Sequence, residues 1–216
     1  MRIRAELDRS VVVPATEQIW VPSPTAGVER RLLDRIGGEV ARATSIVRYA
    51  PGSAFPAHVH DGGEEYLVLE GVFQDEAGDH PVGRYVRNPP TSRHTPASAP
   101  GCTIFVKLHQ FDPEDRSAVD VQAPVPEGTL FRDAHEHVAI RRARAGEPVT
   151  VGDDGGEEIL VLAGTLRLGV QVLGPWSWVR LAPGDRRRAR ADDAGPARFW
   201  SKRGHLVRPR GLGLGG

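Results

Sequence analysis

Residues 52–71 read GSAFPAHVHDGGEEYLVLEG, and the stretch decides how the rest of the chain is understood. His58 and His60 are one residue apart, and side chains two positions apart in a strand point to the same face. Asp61-Gly62-Gly63 is a turn sequence, Glu64 follows it, and an apolar run then leads to Gly71. If the second strand packs beside the first, Glu64 joins the two imidazoles. Two histidines and a carboxylate converging from two strands are three ligands for a borderline divalent cation.

Outside this stretch the chain reads as many short strands joined by tight turns. It has 216 residues, with 25 glycines and 18 prolines, a composition that favours turns over long helices. Strand candidates are Val11-Val12-Val13, Glu39 to Tyr49, Gly83 to Pro90 and Cys102 to Leu108. Gly27 to Gly38 keeps neither period, and its closing Gly-Gly suggests two short strands. Residues 113–128 are acidic and proline-bearing without periodicity, and read as a linker.

The decisive internal feature is a repeat. Residues 61–71 (DGGEEYLVLEG) recur as residues 154–164 (DGGEEILVLAG), an offset of 154 − 61 = 93 with nine of eleven positions identical. A period this long marks duplication of a whole small all-β domain and not a solenoid. The expected organisation is a front domain over 1–112, a linker over 113–128, a rear domain over 129–210 and a tail over 211–216. The ligand candidates are not duplicated. At the same offset His58 becomes Val151 and His60 becomes Asp153, while His94 falls at Arg187 or Arg188. One metal per chain is expected, in the front domain.

The spacing Gly52, His58-x-His60, Glu64, Gly71 resembles the first sequence motif of the cupin family. Gly83, Pro89 and His94 resemble its second motif, with Thr91 where a glycine is usual. Within cupins the chain is similar to the cupin domain of ChrR-like anti-sigma factors, in the GGEE turn, the Gly101-Cys102 pair and the 34-residue step from His60 to His94. The resemblance implies two tandem jelly-roll β-barrels, a bicupin, with His58, His60, Glu64 and His94 holding one divalent metal. Zinc suits three imidazoles and a carboxylate first, and Fe(II), Mn or Ni suit them next. Those factors grip a sigma factor through an N-terminal His-Cys-Cys zinc domain. Here there is one cysteine, and barely twenty residues precede the cupin-like stretch, so sigma-factor binding does not carry over. The expected role is a sensor or regulatory module that meets a small-molecule ligand or an oxidant. The alternative is a non-haem metal dioxygenase cleaving a small diketone or hydroxyketone.

The remaining features read plainly. Twenty-eight basic residues balance twenty-eight acidic ones, so neither nucleic acid nor an anionic membrane is an expected partner. No apolar run approaches the ~20 residues of a spanning helix, no leader is visible, and a cytoplasmic protein is expected, with a homodimer left open. Glu65 has the wrong parity for the metal and is expected to form an ion pair on the opposite face. Tyr66 has the right parity. His80, His109, His135 and His137 lack partners at ligand spacing. Cys102 reads as a small buried hydrophobe more than as an oxidant sensor. The basic run at 186–190 reads as a solvated turn offset by Asp192 and Asp193.

Overall fold

The computed structural model describes residues 1–38 and 40–210, so the expected tail at 211–216 lies outside the described residues. Among these residues there is no α-helix, only strands and one 3-10 turn at Ala15–Glu17. No helix is long and apolar enough to cross a membrane. The chain divides into two compact units, each an antiparallel jelly roll.

The front unit comprises Met1–Ala5, Ile19–Val125 and Arg210. Its main sheet runs Arg2–Ile3, Val28–Gly37, Ala41–Tyr49, Cys102–Leu108, Glu64–Asp75, Tyr85–Asn88 and Val119–Val121. Val28–Gly37 is one strand, not the two expected. A register shift between Leu32 and Asp34 hides its alternation from the sequence. Val119–Val121 pairs with Tyr85–Arg87, and Val125 is buried. The acidic stretch read as a linker therefore supplies an edge strand, and the boundary expected after residue 112 moves to Val125.

Glu64–Asp75 ties the two layers of this unit together. Its first half pairs with Cys102–Leu108 and Tyr85–Asn88; beyond Gly71 it turns back with Gly78–Pro81. The bend needs glycine. Gly71 has φ +68, and a Cβ there would lie 2.0 Å from the Gly101 carbonyl oxygen. Alternation then points Tyr66 and Val68 inward, where they pack with Val28, Val47, Tyr49, Phe73, Val86, Ile104 and Val106. Cys102 belongs to this core. Glu65 faces the other way, buried 4.0 Å from the Arg87 guanidinium, as parity requires.

The rear unit comprises Glu6–Gln18 and Pro126–Pro209. One sheet runs Gly128–Arg132, His137–Ala143, Ala197–Arg203, Glu157–Ala163, Trp178–Leu181 and Val11–Val13. The second runs Pro148–Val151, Arg187–Ala191, Leu166–Leu168 and Gln171–Leu173. The expected front boundary at residue 1 is therefore corrected, because Val11–Val13 pairs with Trp178–Leu181. The run 186–190 forms most of a strand edged by acids, Arg190 meeting Asp193 and Arg187 meeting Asp185. Gly164 repeats the bend of Gly71, with φ +71 and a Cβ that would lie 2.2 Å from the Pro196 carbonyl oxygen.

Two positions with the same left-handed backbone give opposite expectations. Gly71→Ala meets a backbone oxygen that cannot move away, and should destabilise the protein by about 2–4 kcal/mol in denaturant unfolding. Thr91 is β-branched yet has φ +74. Thr91→Gly should raise the unfolding midpoint, by up to about 1 kcal/mol, since relief of strain exceeds the added chain entropy. A stabilised Gly71→Ala, or a destabilised Thr91→Gly, contradicts this account of the bends.

Candidate metal centre

Three short elements of the front unit bring the predicted ligands together. His58 pairs directly with His94 across the two-stranded ladder His58–Val59 and Arg93–His94. The His60 backbone N–H donates to the Ser92 carbonyl, and the His60 carbonyl accepts from Thr91 N–H and Gly63 N–H. Gly63, at φ +76, then turns the chain so that Glu64 opens the next strand on the same side. The unusual Thr91 is thus part of the clasp that holds His60.

The resulting cluster is tight. The ring centroids of His58, His60 and His94 are 4.6–5.2 Å apart, and their ligand nitrogens all lie within 4.8 Å of one another. Glu64 Oε2 lies 3.5 Å from His60 Nε2 and 3.4 Å from His94 Nε2, and accepts a hydrogen bond from Asn88 Nδ2 at 3.2 Å. His60, Glu64 and His94 are buried, while His58 is exposed.

Each Nδ1 has a partner. That of His58 donates to the Pro56 carbonyl (3.0 Å), that of His60 pairs with the Ser92 hydroxyl (3.1 Å), and that of His94 donates to Asp75 Oδ2 (3.1 Å). By contrast, Nε2 of His60 and of His94 is buried with no hydrogen-bond partner among the described residues. A buried polar nitrogen without a donor is unfavourable in an empty protein and is what a cation relieves. The donor set therefore fits a divalent metal, and three of its members meet without rearrangement.

The electrostatics of the two buried imidazoles differ. Burial lowers the His60 pKa, Glu64 opposes this, and the other imidazoles add to the lowering, so the neutral, metal-binding form is favoured. For His94 burial also acts downward, but the Asp75 hydrogen bond and the Glu64 charge outweigh it and raise the pKa. Burial pushes the Asp75 carboxyl up, and the hydrogen bonds from His80 and His94 overcome it and hold the group ionised.

Sequence reasoning missed the residues behind the ligands. Asp75 was not among the candidates, and His80 lacked a partner at ligand spacing. In the structure His80 Nε2 donates to Asp75 Oδ1 at 2.9 Å, and Tyr66 Oη lies 3.1 Å from His80 Nδ1. Tyr66 does face inward, as expected. His135 is exposed, and His137 meets Thr129 and Arg203 in the rear unit. Cys102 is buried, which pushes its thiol up to about 11.

The rear unit has the same ladder without the ligands, Val151 pairing with Arg187 where His58 pairs with His94. Glu157, the counterpart of Glu64, is enclosed: Arg141 Nη1 donates to it at 2.7 Å, and the Ser201 hydroxyl and Gly152 N–H also donate. Val151 lies in the rear core.

With this geometry in view, comparison with known proteins is informative. The sequence model of the ChrR cupin-like domain matches residues 8–112. The chain has the cupin fold, and its residues 8–112 match the cupin-like family. Solved structures share the fold over nearly its whole length. A candidate dioxygenase from Nostoc punctiforme aligns at TM-score 0.70 and 16% identity, over 91% of this chain and 82% of that one. The pirin YhhW from Escherichia coli, in complex with nickel(II), aligns at TM-score 0.68 and 12% identity, over 91% and 99%. A cupin 2 conserved barrel protein from Leptotrichia buccalis aligns at TM-score 0.56 and 12% identity, over 85% and 91%. No curated protein matches the sequence.

Two measurements check the site. Metal analysis of the cupin should give one divalent ion per chain, and two would contradict the enclosure of Glu157. Cys102 should resist alkylation at pH 8, where only about one thiol in a thousand is ionised by its raised pKa, and should react once the chain is unfolded. Rapid reaction of the native protein would refute its burial.

Proposed function

We propose that the front barrel of this cupin is a regulatory metal centre, in which His58, His60, Glu64 and His94 hold one divalent cation, zinc first. The observation that carries the reading is the pair of buried, partnerless Nε2 atoms aimed at one acidic oxygen, with every Nδ1 already engaged. Bound there, the cation would supply Lewis acidity, and iron would add redox chemistry. The chain's residues do the rest. Behind the site Phe73 and Tyr66 fill the barrel, each about 1% exposed, so a ligand does not enter from the interior. In front, an open cleft of about 510 Å³ is lined by Ala57, His58, Val59, Glu76, Arg93, His94 and Thr95. Exposed His58 stands at this mouth, where a small ligand or oxidant entering the cleft would meet it. Arg93 would meet an anionic group of that molecule.

The same cleft favours a second reading, a dioxygenase acting on a small diketone, because it leaves one side of the site open to substrate. A pirin of this fold in complex with nickel(II) and another protein of the fold described as a candidate dioxygenase support this reading.

Metal analysis followed by anaerobic iron loading separates the two. The regulatory reading expects zinc at one equivalent and no oxygen uptake with iron and small β-diketones. Catalytic uptake selects the dioxygenase. His94→Ala should lower zinc affinity by more than the ~10–100-fold typical of an outer partner, and an unchanged affinity would remove His94 from the ligand set.

A further inference from the structure

Tyr66, His80, Asp75 and His94 form one hydrogen-bonded chain running from the barrel interior to a ligand nitrogen. Its contacts are 3.1, 2.9 and 3.1 Å, and its two inner members, Tyr66 and His80, are 1% and 2% exposed. We propose that Asp75, held in place by His80 and Tyr66, is the positioning residue that makes His94 a metal ligand. This rests on the metal reading above.

The argument is one of proton bookkeeping. A neutral imidazole carries one N–H, and only the other nitrogen can bind a cation. Asp75 is an acceptor on both oxygens. Oδ1 takes His80 Nε2–H and the Ala77 backbone N–H, and Oδ2 takes His94 Nδ1–H. His94 is therefore held as the Nδ1–H tautomer, with its Nε2 lone pair directed towards Glu64. His80, donating through Nε2, has its Nδ1 lone pair free for the Tyr66 hydroxyl. The chain is consistent from end to end in one direction only. Asparagine at 75 breaks it, because its single carbonyl is claimed by Ala77 and His80, and its NH₂ then faces His94. That imidazole can answer only by moving its proton to Nε2, where it blocks coordination.

The duplicated barrel supplies an internal control. Its hairpin has the same register, since Phe73↔His80 corresponds to Leu166↔Leu173. At the repeat offset Tyr66, Asp75 and His80 become Ile159, Leu168 and Leu173, all buried in one apolar core. The rear barrel lacks the imidazole ligands and lacks the whole chain, and it folds with aliphatic residues in those places. If the chain only stabilised a barrel of this shape, its loss together with the ligands would have no reason. Its presence beside the ligands fits a service to the metal.

The test uses the full protein. In the metal-free state, at a pH high enough to make His94 neutral, ¹⁵N NMR of labelled histidine should show His94 as Nδ1–H in the wild type and as Nε2–H in Asp75→Asn. Zinc affinity, measured by competition with a chelator, should fall about 10–100-fold in Asp75→Asn. A triple variant carrying the rear residues, Tyr66→Ile, Asp75→Leu and His80→Leu, should fold by circular dichroism and lose affinity at least as far, and it carries the test if Asp75→Asn does not fold. A wild-type affinity in a folded variant overturns the proposal. So does a fall in affinity with the tautomer unchanged, which would leave Asp75 a packing role alone. If the wild type binds no divalent ion, the metal reading fails, while the tautomer measurement still decides what Asp75 does to His94.

Discussion

An imidazole can direct a lone pair only when its other nitrogen is tied down, and this directional constraint underlies the front barrel. The three ties come from different places: a carbonyl two residues upstream of His58, a hydroxyl on the ladder opposite His60, and a carboxylate from the hairpin beyond Gly71. None is local to all three histidines. They assemble only because the His58–His94 ladder closes, the chain reverses at Gly63, and the long strand bends at Gly71 to carry Asp75 over His94. Register, turn chemistry and site geometry are therefore one problem in this molecule.

The two barrels show two solutions to a buried acid. Glu64 and Glu157 open equivalent strands and are both removed from water. A buried carboxylate has to be compensated. In the rear barrel the compensation is a guanidinium from Arg141, a hydroxyl from Ser201 and a backbone N–H, and nothing is left over. In the front barrel an amide from Asn88 donates to the acid, and imidazole nitrogens face it at 3.4–3.5 Å. A positive charge is wanted at the same point in both copies. One copy encodes it as a side chain, and the other is arranged to import it.

Much of this was readable without coordinates. Strand parity grouped His58 with His60 and turned Glu65 away, and the Gly-Gly turn with a neighbouring strand brought in Glu64. The 93-residue offset located the second barrel and its missing imidazoles. His94 needed the family spacing, because its approach depends on a ladder between two-residue strands that leave no periodic trace. Asp75 and His80 escape notice because they flank Ala77-Gly78-Asp79, a turn sequence that suggests a solvated hairpin tip. The signal was nonetheless present: at the repeat offset both positions change from polar to leucine, which marks buried positions and not a tip. Bulges account for the other failure, since the shift after Leu32 breaks the alternation that would have revealed one long strand.

The pairing of Val11–Val13 with Trp178–Leu181 also shapes how the protein comes into being. This strand is translated more than 160 positions before its partner. The rear sheet cannot be finished until Trp178–Leu181 has been made, whereas Ile19–Val125 holds almost all of the front unit's strands and is complete before that. The chain is thus stitched and not strung: a gene cut at the apparent joint would hand one product a stranded edge strand and deprive the other of its border.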